Sequence, residues 1–296
     1  MCIRDRATVT RTDVARLGKA QSLTVRLAQR ELGRLWMRLE GLPPARQRDI
    51  LLDLLPALCR KYGDIGGVAA AQWYDTLWNQ WFDGGFEAQP VNEFDDDTAR
   101  GIIRAKAGLL FDKPDGTPAD PTEFLRWANK FLDRNVKQPG RLTIQHNAQR
   151  DPYRTGYARV PSGAGTCPFC LMLAGRGYIY HNAETAGADH GFHEDCDCEI
   201  IPEWDKGSNR IEGYDPDRYE RMYRQARDAL ENPHTDPQLL EAAGNVSPYT
   251  VTITQNNGRR RAHTYMPGDP NNLNSLAAIM RRQHPDLFTG TDGDIR

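Results

Sequence analysis

The chain has 296 residues, a formal net charge of −2 and a pI near 6.4. This length fits one large domain or two modest ones, since domains span about 100–200 residues. The balanced charge excludes a global field that would draw the protein to nucleic acid or to a membrane, and no apolar run approaches the roughly 18 residues of a membrane span. We therefore expect synthesis in a reducing cytoplasm and no membrane partner.

The first residues do not read as part of a folded domain. Met1-Cys2-Ile3-Arg4-Asp5 is the translation of a mosaic-end adapter used in transposon-based sequencing libraries. We assign residues 1–6 to a sequencing-adapter artefact or a disordered tail, and we exclude Cys2 from the candidate ligands.

Residues 7–150 carry apolar side chains at helical spacing and predict a helical domain. Gly63, Gly66-Gly67 and Pro139-Gly140 are expected to interrupt the helices, because glycine and proline disfavour helix interiors. The predicted helices cover residues 12–40, 44–62, 68–82, about 98–110, 121–137 and 142–150.

Two features of residues 7–150 suggest a function, but each also has a structural explanation. Trp73, Leu77, Trp78 and Trp81 form an aromatic stripe that could dock a partner, but we favour core packing because aromatic residues dominate helical cores. The acidic run Glu93–Asp97 could hold a cation, but it precedes a helical pattern, so helix capping explains it more simply.

The composition changes at Asp151-Pro152, where glycine, tyrosine, cysteine and histidine rise and the helical period ends. We predict a Cys/His zinc-binding core over 151–205 and a segment with a helix, a β-hairpin and a C-terminal tail over 206–296. Short strands are expected at 157–160, 177–180, 199–202, 249–254 and 259–265, with helices at 214–230 and 273–282. Residues 232–246 are expected to form a loop with a helical turn. The fold class is α+β, with a mainly α-helical N-terminal domain followed by a small zinc-stapled α+β module.

Four of the six cysteines lie in two short clusters within this core. Cys167 and Cys170 form a C-x2-C knuckle, and His193, Cys196 and Cys198 form an H-x2-C-x-C segment. A knuckle answered by two or more soft ligands is what tetrahedral zinc needs. These five donors compete for four positions, and the spacing does not say which four bind. Two disulfides are the alternative, but disulfide frameworks belong to small secreted domains.

The predicted zinc is structural, because five available donors suggest a closed coordination shell rather than an open catalytic position. A metal-dependent nuclease built around His190 is a weaker alternative, since no partner follows it at helical spacing. The basic run at 259–261 could contact phosphate, but a solvated turn is the more common meaning of such a run. Cys59, in a leucine-rich helix, is expected to be an inert buried thiol.

The stretches 157–163, 166–178 and 192–202 resemble the core of the Mu F-like head morphogenesis family, in the form found in tailed phages of actinobacteria. The resemblance is strong over about 157–204 and weaker elsewhere. It implies a structural minor head protein that joins the prohead near the portal, with Cys167, Cys170, His193, Cys196 and Cys198 as the residues carried over.

The resemblance also implies partners and a location. The partners would be the portal protein and the scaffold or major capsid protein, with contact to packaged DNA as a further possibility. The protein would reside in the virion, and in the host cytoplasm during assembly. Some relatives are labelled capsid maturation proteases, but no protease constellation stands out here, so a nuclease or protease remains the alternative and a non-enzymatic role is favoured.

Overall fold

The computed structural model describes residues 8–288, apart from 154, 163–165, 181–195, 233, 235 and 255–258. The described chain divides into two compact units. The first contains Ala15–Asp151, and the second contains Pro152–Arg296 together with the short segment Thr8–Val14.

Long helices make up the first unit. Their bounds are α1 Arg11–Leu39, whose first residues count with the second unit, α2 Pro44–Trp81, α3 Asp96–Lys106 and α4 Pro121–Arg150, with a 3₁₀ turn at Ala107–Leu110 after α3. Proline opens both α2 and α4, where its missing N–H costs nothing.

The predicted breaks at the glycine and proline pairs are wrong, because α2 and α4 each run through without interruption. A Cβ on Gly66 would lie 3.2 Å from the carbonyl oxygen of Val136 on α4. A Cβ on Gly140 would lie 3.4 Å from the carbonyl oxygen of Gly66. These small residues therefore lie where the two helices are in close contact, and packing outweighs their poor helix propensity.

The aromatic stripe of α2 is confirmed as core. Trp73, Leu77, Trp78 and Trp81 are all buried. The ring of Trp78 lies 4.7 Å from that of Phe82 and in a tilted orientation, as aromatic pairs prefer.

A second apolar cluster joins α1, α2, α3 and α4. Its largest members are Leu32, Trp36, Leu51, Leu55, Ile103, Phe124, Trp127, Phe131 and Leu132.

The acidic run before α3 is confirmed as a cap. The carboxylate of Asp95 accepts hydrogen bonds from the backbone N–H groups of Asp97 and Thr98, and Asp96 and Asp97 occupy the first turn. These contacts favour the charged form, so hydrogen bonds from Thr98 and Asp97 lower the pKa of Asp95.

The second unit contains short helices and two small antiparallel sheets. Their bounds are β1 Gly156–Pro161, α5 Pro168–Ala174, β2 Cys198–Glu203, α6 Pro216–Glu231, α7 Pro237–Gly244, β3 Tyr249–Thr254, β4 Arg260–Tyr265, α8 Leu273–Gln283 and a 3₁₀ turn at Pro285–Leu287.

The predicted strands at 157–160, 199–202, 249–254 and 259–265 are confirmed, and β1 pairs with β2 while β3 pairs with β4. The predicted strand at 177–180 is wrong. Gly177 adopts a φ of +65° that turns the chain after α5, and only Tyr180 then bridges to Tyr157 on β1. The helical turn expected within the loop at 232–246 is present but longer than predicted, as the eight-residue helix α7, which begins at Pro237 with Asp236 as its cap.

Helices α5, α6, α7 and α8 enclose the apolar core of the second unit. Its most buried members are Ala174, Ala226, Ala243, Leu276, Ala277, Ile279 and Met280. The fold is thus α+β, mainly helical at the N-terminal side and mixed at the C-terminal side, as predicted. Among the residues that the structure describes, no helix has the length and apolarity needed to cross a membrane.

Candidate metal centre

The C-x2-C knuckle forms the start of helix α5. Cys167 is the N-cap residue, and Pro168 occupies the first helical position. The Sγ atom of Cys167 accepts a hydrogen bond of 3.2 Å from the backbone N–H of Cys170. The cap therefore places both sulfurs at the same end of α5.

The C-x-C segment lies at the beginning of β2. Cys196 lies two residues before the first residue of the strand, Cys198, which stands opposite Pro161 on β1. Asp197 ties this segment to the chain that precedes α5. Its backbone oxygen accepts hydrogen bonds from Ser162, and its carboxylate accepts one of 3.1 Å from the Thr166 hydroxyl.

Three sulfurs from these two segments meet in the protein interior. The Sγ atoms of Cys170, Cys196 and Cys198 all lie within 4.8 Å of one another, and those of Cys170 and Cys196 are 3.4 Å apart. All three residues are buried, whereas Cys167 beside them is partly exposed. In a tetrahedral zinc site with Zn–S bonds of about 2.3 Å, neighbouring sulfurs lie about 3.8 Å apart. The observed grouping thus has the scale of a metal site.

Crowding and burial make these thiols poor acids without a cation. Hydrogen bonds with the thiols of Cys167, Cys196 and Cys198, together with burial, raise the pKa of Cys170 well above its usual range. For Cys198, a hydrogen bond with Cys170 lowers the pKa, but contact with Cys196 and burial outweigh it and raise the pKa. Several thiolates can share such a space only if a cation compensates their charge.

Cys167, Cys170, Cys196 and Cys198 are thiols and form no disulfide with one another. The sulfurs of Cys170 and Cys196 are 3.4 Å apart, far beyond the disulfide bond length of about 2.05 Å. The donors that the described residues bring together are all sulfurs, which suit zinc and other thiophilic metals rather than calcium or magnesium.

Four of the five predicted ligands lie in the described part of the chain. The structure brings together Cys170, Cys196 and Cys198, and Cys167 lies next to Cys170. His193, like the weaker candidate His190, lies outside the described residues. The choice of four ligands among five stays a prediction.

The register of the strands reveals a residue that the motif search missed. Arg159 is only 2% exposed, and it stands opposite Ile200, two residues along from Cys198. Since side chains alternate along a strand, Arg159 and Cys198 project from the same face of the β1–β2 sheet. The only signal in the sequence was the charge of Arg159 between the apolar residues Ala158 and Val160 of the strand.

Tyrosines close this side of the sheet. The rings of Tyr157 and Tyr180 stack at 5.8 Å, and the Tyr180 hydroxyl donates a hydrogen bond of 2.9 Å to the carbonyl oxygen of Leu173 on α5. The Tyr214 hydroxyl donates to the next carbonyl, that of Ala174. Burial raises the pKa of both Tyr180 and Tyr214, so both hydroxyls remain protonated donors. These bonds hold the C-terminal end of α5 in place.

Cys59 is not part of the cluster. It is fully buried in the leucine-rich core of the first unit, and burial raises the pKa of its thiol. The prediction of an inert structural thiol is consistent with this apolar setting.

A family comparison covers the whole of this site. The model of a family described as VG15 protein matches residues 8–226, which is well over half of the chain. The chain belongs to the VG15 family. This family is phage-related, so the phage origin implied by the sequence resemblance agrees with it at that coarser level. All five candidate ligands of this VG15 protein lie inside the matched range.

Comparisons with curated proteins and with solved structures found no significant match. The finer assignment of the VG15 protein to Mu F-like minor head proteins therefore stays a prediction.

Proposed function

We propose that this VG15 protein is a structural component of a tailed-phage particle, a minor head protein that acts in prohead assembly near the portal and whose second unit is stapled by zinc. The observation that carries the metal part is the meeting of Cys170, Cys196 and Cys198 from two separated segments. The phage-related family and the resemblance of the cysteine-rich core to Mu F-like proteins support the assembly part.

Cys170, Cys196 and Cys198 would supply three thiolates, and Cys167 or His193 would supply the fourth donor. With four protein donors the shell is closed, so the bound zinc would cross-link the chain rather than activate water. Arg159, on the face of the sheet that carries Cys198, would offset part of the negative charge of the thiolates.

A zinc cross-link would stabilise two elements of the second unit that are weak by themselves. The β1–β2 sheet has only two strands, and α5 has only seven residues, so neither is stable by itself. A metal that links the first turn of α5 to the start of β2 would fix both elements against each other. Binding free energy then becomes folding free energy.

Metal content tests the staple directly. The full chain, purified under reducing conditions, should contain about one zinc per molecule, as structural sites do. Cys170→Ser and Cys198→Ser should each lose most of that zinc, whereas Cys59→Ser, a matched change at a buried cysteine outside the cluster, should retain it. Cys167→Ser and His193→Ala, tested in parallel, should identify the fourth donor. Folded protein that contains no bound metal would refute the staple.

Particle association tests the assembly role. When the chain is co-expressed with the portal, scaffold and major capsid proteins of its own phage, it should sediment with proheads and contact the portal in cross-linking experiments. Proheads that form normally and contain none of the chain would refute the role while leaving the zinc site intact. Location in the virion, and in the host cell during assembly, follows from the same proposal.

A further inference from the structure

The solvent-facing side of α1 carries a long row of positive charge. We define the basic stripe as its six exposed cations, Arg16, Lys19, Arg26, Arg30, Arg34 and Arg38. At 100° per residue these side chains fall within an arc of about 120°, and at 1.5 Å per residue the row extends about 33 Å. The stripe lies entirely within the first unit, in a chain whose net charge is −2.

The two acids of α1 can offset only part of the charge of the stripe, and Glu31 interacts electrostatically with Arg34. The helix contains only two acidic residues, Asp13 and Glu31. Asp13 is buried and accepts hydrogen bonds from Thr10, while Glu31 accepts hydrogen bonds of 2.7 Å from Lys61 and 2.5 Å from Tyr62 on α2.

Within the described part of the chain, Lys19, Arg26, Arg30, Arg34 and Arg38 form no salt bridge. Like charges at i and i+4 destabilise a helix, and Arg26, Arg30 and Arg34 have that spacing. This row of like charges therefore does not stabilise α1 itself.

Large apolar side chains lie among the cations. Leu23 is 51% exposed, Leu27 is 38% exposed and Met37 is 64% exposed. All three fall within the same arc as the stripe. The face of α1 thus combines positive charge with apolar contact area.

The apolar face of α1, which an interfacial helix would insert into lipid, is already buried in the core of the first unit. The opposite face of α1 carries Val25, Ala28, Leu32, Trp36 and Leu39, which are buried in the core of the first unit. Insertion into a bilayer would require that face, so a membrane surface is a poor fit.

Two other occupants fit less well than a protein helix. A second copy of this chain would bring one basic stripe against another, which electrostatic repulsion opposes. A nucleic-acid backbone would satisfy the arginines but offers nothing apolar to Leu23, Leu27 and Met37.

We infer that the basic stripe is a docking surface for an acidic amphipathic helix of a partner protein. Glutamates at every fourth position of such a helix would face Arg26, Arg30 and Arg34, and its apolar residues would cover Leu23 and Met37. The inference rests on the proposed assembly role, because it supplies the surface by which the helical unit would engage a head component.

The test uses zinc-loaded full-length protein and a synthetic probe. The probe is a 28-residue helical peptide with glutamates at every fourth position beside a leucine stripe, and its control is a scrambled peptide of the same composition. Arg26→Glu/Arg30→Glu/Arg34→Glu should weaken probe binding by roughly 30- to 100-fold, since three favourable pairs become repulsive. A matched variant, Arg46→Glu/Arg104→Glu/Arg282→Glu, changes three exposed arginines elsewhere and should bind like the parent.

A second variant separates protein docking from simple charge attraction. Leu23→Gln/Met37→Gln keeps every cation and should weaken probe binding by about 10-fold, since two exposed apolar contacts are lost. Equal binding of the scrambled peptide would overturn the proposal. Tighter binding to a 20-base-pair duplex or to phosphatidylserine vesicles, unaffected by the Leu23 and Met37 changes, would overturn it in favour of nucleic acid or lipid.

Prohead association of the variants tests the docking surface and the assembly role separately from the zinc staple. If the triple Arg26, Arg30 and Arg34 variant still joins proheads as the parent does, the docking surface is refuted while the assembly role stands. If neither protein joins proheads although the parent binds the probe, the assembly role fails and the helix-binding surface stands.

Discussion

Replacement of Gly66 by alanine puts one methyl group at a close contact between α2 and the backbone of α4, and Gly33 on α1 offers a matched control. No heavy atom lies within 4 Å of a Cβ built on Gly33, so Gly33→Ala should yield the full helix-propensity gain of about 1 kcal/mol. On Gly66 the same Cβ would lie 3.2 Å from the carbonyl oxygen of Val136. That oxygen belongs to the backbone of α4, so relief requires a shift of the helix.

Overpacking of this kind costs about 1–3 kcal/mol, which cancels or exceeds the propensity gain. We therefore expect Gly33→Ala to stabilise the first unit by about 1 kcal/mol, and Gly66→Ala to be neutral or to destabilise it by up to about 2 kcal/mol. Urea unfolding followed by tryptophan fluorescence is a suitable assay, because Trp204 is the sole tryptophan of the second unit and the other five of the six lie in the first. If Gly66→Ala stabilises the protein as much as Gly33→Ala does, the close helix contact is not present in solution.

Three further predictions concern the staple, a cap and an ion pair. A strong zinc chelator should abolish the cooperative unfolding of the second unit while the helical signal of the first unit persists. Differential scanning calorimetry with far-UV circular dichroism would show this, and an equal loss of structure in both units would contradict it. Asn272 is fully buried, caps α8 and donates hydrogen bonds to the carbonyl oxygens of Ser247 and Tyr265. Asn272→Ala should therefore lower the free energy of unfolding in urea by about 2–4 kcal/mol. Asn272→Ser keeps the cap acceptor and should lower it less. Hydrogen bonds from Lys61 and Tyr62 lower the pKa of Glu31, so its contribution to stability is present above the unfolded value of 4.5 and is lost as the pH falls through the lowered value. Glu31→Gln should therefore be less stable than the parent at neutral pH but equal to it in strong acid, and a gap that persists in acid would contradict the assignment.

Local chemistry explains why much of the fold was predictable. The caps Asp95, Asp120 and Asp215 stand next to the helices they start, so short-range hydrogen bonds define these ends. The same holds for the knuckle, since Cys167 and Cys170 are joined by one turn. Alternation of β-branched and polar residues likewise identified β3.

Packing explains where the predictions failed. Gly66 and Gly140 have poor intrinsic helix propensity, yet they lie within continuous helices because each lets the backbone of the opposite helix approach. The strand expected at 177–180 reduces to one bridge, because the positive φ of Gly177 redirects the chain.

Side-chain type and short spacing were enough to predict which residues are able to ligate a metal and which half of the chain is helical. The contact of Cys170 with Cys196 and Cys198, and the position of Arg159 on the Cys198 side of the sheet, became evident only in the folded chain. These meetings depend on the pairing of β1 with β2 and on the position of α5, which join residues far apart in the chain. No local pattern encodes such a contact, since it results from the burial of whole elements against one another.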